Sequence, residues 1–255
     1  VELYGIYPSQ YLSYHKKDAA CNYFCDDWTA FSVPADENQF VEKASKAFNS
    51  SKESLTNFLK KNKEKHELTP DIFLNKSLHK WNTYLSKETL TSLLQVYKLD
   101  ISSTLNEVNE HQFSDPKLVQ LFNRYATYNG SSPYSTPGIM SMIPHLEMHY
   151  GTFFPKGGMH EISQSLYRLA QDVGIRFPLN EPVTSIEYDG NRVTKVKSDI
   201  SSYSADVVVT NMDVFSTYQK LLPNAKQPKK VLQQERSSSA IIFYWGIEKT
   251  FPELD

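Results

Sequence analysis

His145-Leu146-Glu147-Met148-His149 sets two imidazoles four residues apart, the one-turn spacing at which a helix presents a pair of zinc ligands. Its glutamate is not in the H-E-x-x-H position and no third ligand is signalled, so no metal is expected. Cys21 and Cys25 form a lone C-x-x-x-C, which excludes a four-thiolate site. Along a strand, residues four apart sit about 13 Å from one another, too far for a disulfide, so two reduced thiols are expected, as in a cytosolic protein. Ser237-Ser238-Ser239 lacks the G-x-S-x-G elbow of a serine hydrolase. Phe154-Pro155-Lys156-Gly157-Gly158-Met159 is richer. Two successive glycines after a strand permit close backbone approach, and a helix starting directly after them points free N–H groups outward. Such a terminus suits a carbonyl, a phosphate or a flavin ring edge, although a turn with no ligand is equally economical.

These residues need elements to position them. CNYFC and WTAFSV read as antiparallel strands joined at Asp26-Asp27, after which Pro34-Ala35-Asp36 breaks the pattern and offers an N-cap. From about 36 to 125 the period is helical: Phe40, Ala44, Ala47 and Phe48 share one face, and Leu55, Phe58 and Leu59 the next, in a lysine-rich segment that reads as a solvated face, with peripheral contact at a membrane surface as the alternative. Leu90, Leu93, Leu94, Tyr97, Ile101, Leu105 and Val108 continue the spacing, with Pro70 and Pro116 as boundaries. Residues 129–144 are loop-like in chemistry. A strand at 150–154, the Gly157-Gly158 turn and a helix with Ile162, Leu166, Leu169, Ala170 and Val173 inward follow, with Gly174 as its stop. Val183–Tyr188 and Arg192–Val196 around Asp189-Gly190 predict a hairpin, 205–211 a strand covered on both faces, 214–222 a helix and 240–247 a last strand.

The 255 residues, 40% of them apolar and 13% aromatic, are sufficient for a buried core. A net charge of −2, with no interleaving of basic and aromatic residues, gives no sign of a nucleic-acid surface. No stretch approaches the ~18 apolar residues of a spanning helix. Of nine glycines, eight lie beyond position 129, and neither G-x-G-x-x-G nor G-x-x-x-x-G-K-[ST] occurs, so a self-contained dinucleotide- or phosphate-cradling domain is not expected. Opening on strand-like residues at Val1 and closing at Asp255 shortly after another strand, the sequence is expected to be an internal piece.

LFNRYATYNGSSPY, IPHLEMHYGTFFPKGGMHEISQSLYRLAQDVGIRF, EPVTSIEYDGNRVTKV and ADVVVTNMD occur in that order, and together they resemble the middle of a bacterial-type phytoene (carotenoid) desaturase, within the FAD-dependent amine-oxidase-like superfamily. CNYFCDDWTAFSVPAD resembles the hairpin of that family, with Asp27 where glycine is usual, and YLSKETL and SLHKWNTYL are similar to the branch acting on hydroxylated acyclic carotenoids. The resemblance implies an α+β fragment of an amine-oxidase-like flavoprotein, about half its length, with FAD as cofactor and a hydrophobic polyene as substrate. The implied division is 1–35 substrate-domain strands, 36–125 a helical insertion, 126–155 substrate-domain loop and strand, 156–213 part of the FAD-binding domain, and 214–255 a substrate-domain helix and strand. The activity implied for the whole protein is desaturation of phytoene or a hydroxylated carotenoid, the piece alone being inactive.

By motif match, Val183 would contact the adenine end through its backbone, Asn211 would sit at a ligand-binding strand end, and Gly157, Gly158 and Met159 would lie near the flavin ring. Arg124, Tyr134 and His145 would face the substrate cavity, and the face from Leu90 to Val108 either lines its tunnel or is ordinary core. A cytoplasmic location, with peripheral contact at the inner face of a membrane, goes with a polyene substrate. The competing readings are another flavin oxidase, acting on a porphyrinogen, an amine or a retinoid, and a lipid-binding module without redox activity.

Overall fold

The computed structural model describes residues 7–27, 29–69, 80, 96–190, 192–234, 236 and 240–251. They fall into two units, 1–165 with 237–255, and 166–236. In the first, β2 (Ala19–Phe24) and β3 (Ala30–Pro34) pair antiparallel, Tyr23 opposite Phe31, across the turn expected at Asp26-Asp27. Cys21 and Cys25 are free thiols. β1 (Tyr14–Lys16) pairs instead with the distant β4 (Phe153–Pro155).

Helix α1 (Glu37–Ala47) starts where Asp36 accepts the Gln39 N–H at 2.9 Å, and α2 (Lys52–Leu68) where Ser51 accepts that of Ser54 at 3.1 Å. Both leave their apolar stripe facing β3 and a third layer, α4 (Pro116–Asn123), with Pro116 in the first turn where its missing N–H costs nothing. Phe122 anchors this core: its ring stacks on Phe113 at 5.2 Å and meets Phe58 edge-on at 4.8 Å. Each such ring contributes about 1.5–3 kcal/mol by leaving water.

Ala47, expected on the inner face of α1, is exposed. The solvated face expected for α2 holds at Lys60, Lys61 and Lys63 but not at Lys65, which is buried, ion-paired to Asp100 at 2.6 Å and donating to Ser141 at 2.7 Å. The continuous helix expected to run through 108 is broken. Asp100 takes a positive φ of 48°, and Thr104 with Glu107 forms a capping box that starts α3 (Leu105–Gln112) afresh. Leu90, Leu93 and Leu94 lie outside the described residues. The loop expected at 129–144 ends early, since 138–142 wind into a 3₁₀ turn leading to α5 (Ile143–Tyr150), whose Pro144 sits harmlessly in the first turn.

Helix α6 (His160–Asp172) ends at Gly174, which takes φ 83°, with the Ile175 N–H returning to Ala170 O at 2.9 Å. Its apolar stripe is not a core face here: Ile162, Leu166 and Val173 are exposed. In the second unit, β5 (Val183–Asp189), β6 (Arg192–Ser198) and β7 (Ser202–Ser204) form an antiparallel sheet in that order, the expected hairpin plus a third strand. The strand expected at 205–211 is absent, with Val207 and Val209 exposed, and so is that expected at 240–247, where Trp245 is exposed. A strand exists only through lateral pairing, and among the described residues nothing pairs with either run. The helix expected at 214–222 forms as α7 (Val214–Ser216) continuing into a π-turn, before Pro223.

Candidate functional site

A cavity of about 850 Å³ opens in the first unit between β2, α3, α4 and the 131–138 loop. That loop is tied to the head of α3: Leu105 N–H donates to Thr136 O at 2.7 Å and Asn106 N–H to Pro133 O at 3.1 Å. Gly138 lets the return strand pass, since a Cβ there would meet Val108 at 2.7 Å and Asp100 O at 2.8 Å. Phe113, Val119 and Pro133 give the cavity apolar walls, and Asn106, Asn123 and Arg124 give it polar ones.

Two of the residues expected to face substrate, Arg124 and Tyr134, line this cavity, Tyr134 at an exposed position. Arg124 holds a dense cluster. Its Nη2 donates to Glu147 at 3.0 Å, its Nε donates to the Tyr23 hydroxyl, and its guanidinium lies 4.5 Å from the Tyr125 ring centre. The Tyr125 and Tyr128 hydroxyls also donate to Glu147. Burial opposes the Arg124 charge, but Tyr23, Tyr125 and Glu147 around it raise its pKa further. Burial pushes Tyr23 up to about 12 against the pull of Arg124, and burial and then Glu147 raise Tyr125 well above the ordinary range. At neutral pH the cluster therefore presents neutral phenols and a fixed cation, equipped to orient a polar group.

His145 is not among the residues lining the cavity. It is buried on α5, its ring stacked 4.9 Å from that of His149 and tilted by 48° against that of His66 at 5.3 Å. Burial first, and then His149, His66 and Lys63, lower its pKa to about 4, so it is neutral at pH 7. The His145 and His149 rings lie 18° from parallel instead of converging on a common point, and among the described residues no group of His, Cys, Asp or Glu suits a metal.

The residues expected to meet a cofactor are split between the units. Gly157 and Gly158 adopt φ of 91° and 98° in a turn closed by Gly158 N–H to Pro155 O at 3.1 Å, and Met159 is exposed at the head of α6. A Cβ on Gly158 would meet nothing within 4 Å, so that glycine answers to its backbone angle, while one on Gly157 would press Glu161 at 3.0 Å. In the second unit Val183 opens β5, whose outer edge has no partner strand among the described residues. Asn211 is exposed just before Asp213 caps α7. An open strand edge and a positive-φ glycine turn fit part of a dinucleotide; the phosphate-cradling glycine motif is not in this sequence.

Asn106 and Asn123 escaped the sequence reading. The available signal was Asn106 and Asn109, polar residues three apart within the apolar stripe of Leu105 and Val108.

The chain is 53% identical over its whole length to a 1-hydroxycarotenoid 3,4-desaturase of Flavobacterium sp., 52% of which it covers. It is 33% identical over 68% of its length to a 4,4'-diapolycopene oxygenase of Methylomonas sp, and 31% identical over 77% to a zeta-carotene-forming phytoene desaturase of Myxococcus xanthus, covering 35% and 38% of those proteins. It thus spans about half, or less, of the length of the curated relatives it matches. Residues 14–241 match the model of the flavin containing amine oxidoreductases, a family that implies FAD, and the chain belongs to that family.

Proposed function

We propose that the whole protein is an FAD-dependent desaturase of an acyclic carotenoid, phytoene or a hydroxylated relative, and that this chain supplies its substrate side and part of its cofactor side. The observation that carries the reading is 53% identity across every part of the chain to a carotenoid desaturase, joined to a cavity that sets Phe113, Pro116, Val119 and Pro133 beside polar side chains. FAD, when bound, would supply the acceptor for the hydride that leaves one carbon while its neighbour loses a proton to water, so that the single bond between them becomes double. The chain's own residues bind and orient: Val183 through its backbone at the adenine end, Asn211 at the cofactor, Gly157, Gly158 and Met159 near the ring, Arg124 and Tyr134 at the substrate. In domain terms, 1–35, 126–155 and 214–255 belong to the substrate domain, 36–125 is a helical insertion within it, and 156–213 belongs to the FAD-binding domain.

A polyene dissolves in lipid, so access to it calls for contact with a membrane surface. Supporting such contact, the small β1–β4 sheet exposes Tyr14, Phe153 and Phe154 beside Lys16 and Lys17. On that need for lipid access we place the protein peripherally, on the cytoplasmic face; no helix among the described residues is long and apolar enough to cross a membrane.

The test is direct. Full-length protein with FAD and an acyclic carotenoid should lengthen the conjugated system and shift absorption to the red; no shift with any acyclic C30 or C40 polyene would sink the reading.

A further inference from the structure

Three asparagine amides run head to tail from buried Asn109 to the cavity, which Asn123 and Asn106 line. The Asn109 amide nitrogen donates to Asn123 Oδ1 at 2.8 Å, and the Asn123 amide nitrogen donates to Asn106 Oδ1 at 2.8 Å. The row ends at Asn106, which is 8% exposed and lines the cavity. Its carbonyl is committed to Asn123 and its backbone N–H to Pro133 O, which fixes the orientation of the side chain. Its amide nitrogen has no hydrogen-bond partner among the described residues, yet it is not one of the fully enclosed unpaired atoms, so its N–H groups open onto the cavity beside Phe113, Val119 and Pro133. Polarisation along the row strengthens the donor at its end.

We infer that Asn106 is a specificity-determining residue, donating a hydrogen bond to an oxygen on the end group of the polyene; the inference rests on the desaturase reading above. While the cavity is wet, water satisfies this donor. A polyene ending in oxygen replaces that water bond for bond, whereas a hydrocarbon strips it and leaves a buried N–H unpaired, a loss that rejects the wrong substrate more strongly than any apolar contact favours the right one.

The full-length, FAD-loaded enzyme tests this through ratios of kcat/KM. The native protein should prefer a hydroxyl-ended acyclic carotenoid over its hydrocarbon analogue by about tenfold or more. Asn106→Leu should lower that ratio at least tenfold. Asn106→Asp keeps an acceptor for Asn123, and with it the row of amides, but replaces the donor by a second acceptor. It should disfavour a methoxy-ended analogue, which can only accept, at least tenfold relative to the hydroxyl-ended one, which can donate to the carboxylate. A native preference well below tenfold overturns the inference with no variant needed, and so does a hydroxyl-to-methoxy ratio unmoved in the Asp variant. If native enzyme desaturates none of the three polyenes, it is the desaturase reading that fails; if it desaturates all three without preference, only the role of Asn106 does.

Discussion

Glu147 places a negative charge at a side chain only 7% exposed, and Arg124, itself a quarter exposed, supplies the countercharge. Removing one partner of a fully buried pair costs about 3–5 kcal/mol, because the survivor keeps its charge without company. Here Tyr125 and Tyr128 still donate to Glu147 and water reaches Arg124, so Arg124→Met should cost about 2–3 kcal/mol, read as a lowered urea midpoint. Arg124→Lys should recover little of this, since an ammonium neither forks between Tyr23 and Glu147 nor lies flat over Tyr125. A lysine variant as stable as the native protein would show that charge alone does the work. His145 makes a separate prediction. Its folded pKa of about 4 lies below the usual 6.5, so as pH falls the unfolded chain takes up the proton first. The stability it contributes is complete above about pH 6.5 and is lost as pH falls toward 4. The urea midpoint should fall less between pH 7 and pH 5 in His145→Phe than in the native protein; equal pH dependence would contradict the burial argument.

At the level of elements, the head of α3 carries both stability and the site. Thr104 Oγ1 accepts the Glu107 N–H at 3.2 Å while the Glu107 carboxylate accepts the Thr104 N–H at 2.8 Å, two positions before Asn106. Thr104→Ala should cost about 1 kcal/mol in thermal or urea unfolding. It should also blur any preference between oxygenated and hydrocarbon substrates, because Asn106 sits in the turn that the cap fixes; a stability loss with that preference intact would separate the cap from the site. Caps, stops and turns of this kind were legible in the sequence, at Asp36, Pro116, Asp189-Gly190 and Gly174, because each is settled by residues within one turn of itself. The row Asn109–Asn123–Asn106 was not, because its members come from two helices and meet only through the way α3 packs on α4. The same distinction explains His145. Its type and spacing marked it for chemistry, but whether it faced the cavity or His66 depended on where α2 ended beside α5. For Val183 the element, β5, was legible and no more, while the strand expected to end at Asn211 is absent among the described residues, since pairing partners of a strand are never local.

On the scale of the whole molecule, the two units differ in how much they bury. The first holds the aromatic core around Phe122, whereas in the second, among the described residues, only Ile186 and Thr217 are buried. That second unit meanwhile exposes Leu166, Ile175, Phe177, Leu179, Val207 and Val209, more apolar surface than a small sheet ordinarily leaves to water. Backbone amides of β5–β7 should therefore exchange with solvent much faster than those of α1, α2 and α4, since local opening of a segment costs little when few apolar contacts resist it. The chain covers 52% of a relative to which it is 53% identical; on the proposal that the intact protein is of similar length, the remainder is available to cover these residues. Hydrogen exchange on full-length protein loaded with FAD should then protect 183–198 by at least an order of magnitude over the same amides in this chain alone, and the unpaired run 205–211 should gain protection with them as it acquires strand partners. Equal exchange in the two would mean that the valines of 207 and 209 face water in the intact protein too, and that the apolar run is not a strand in waiting.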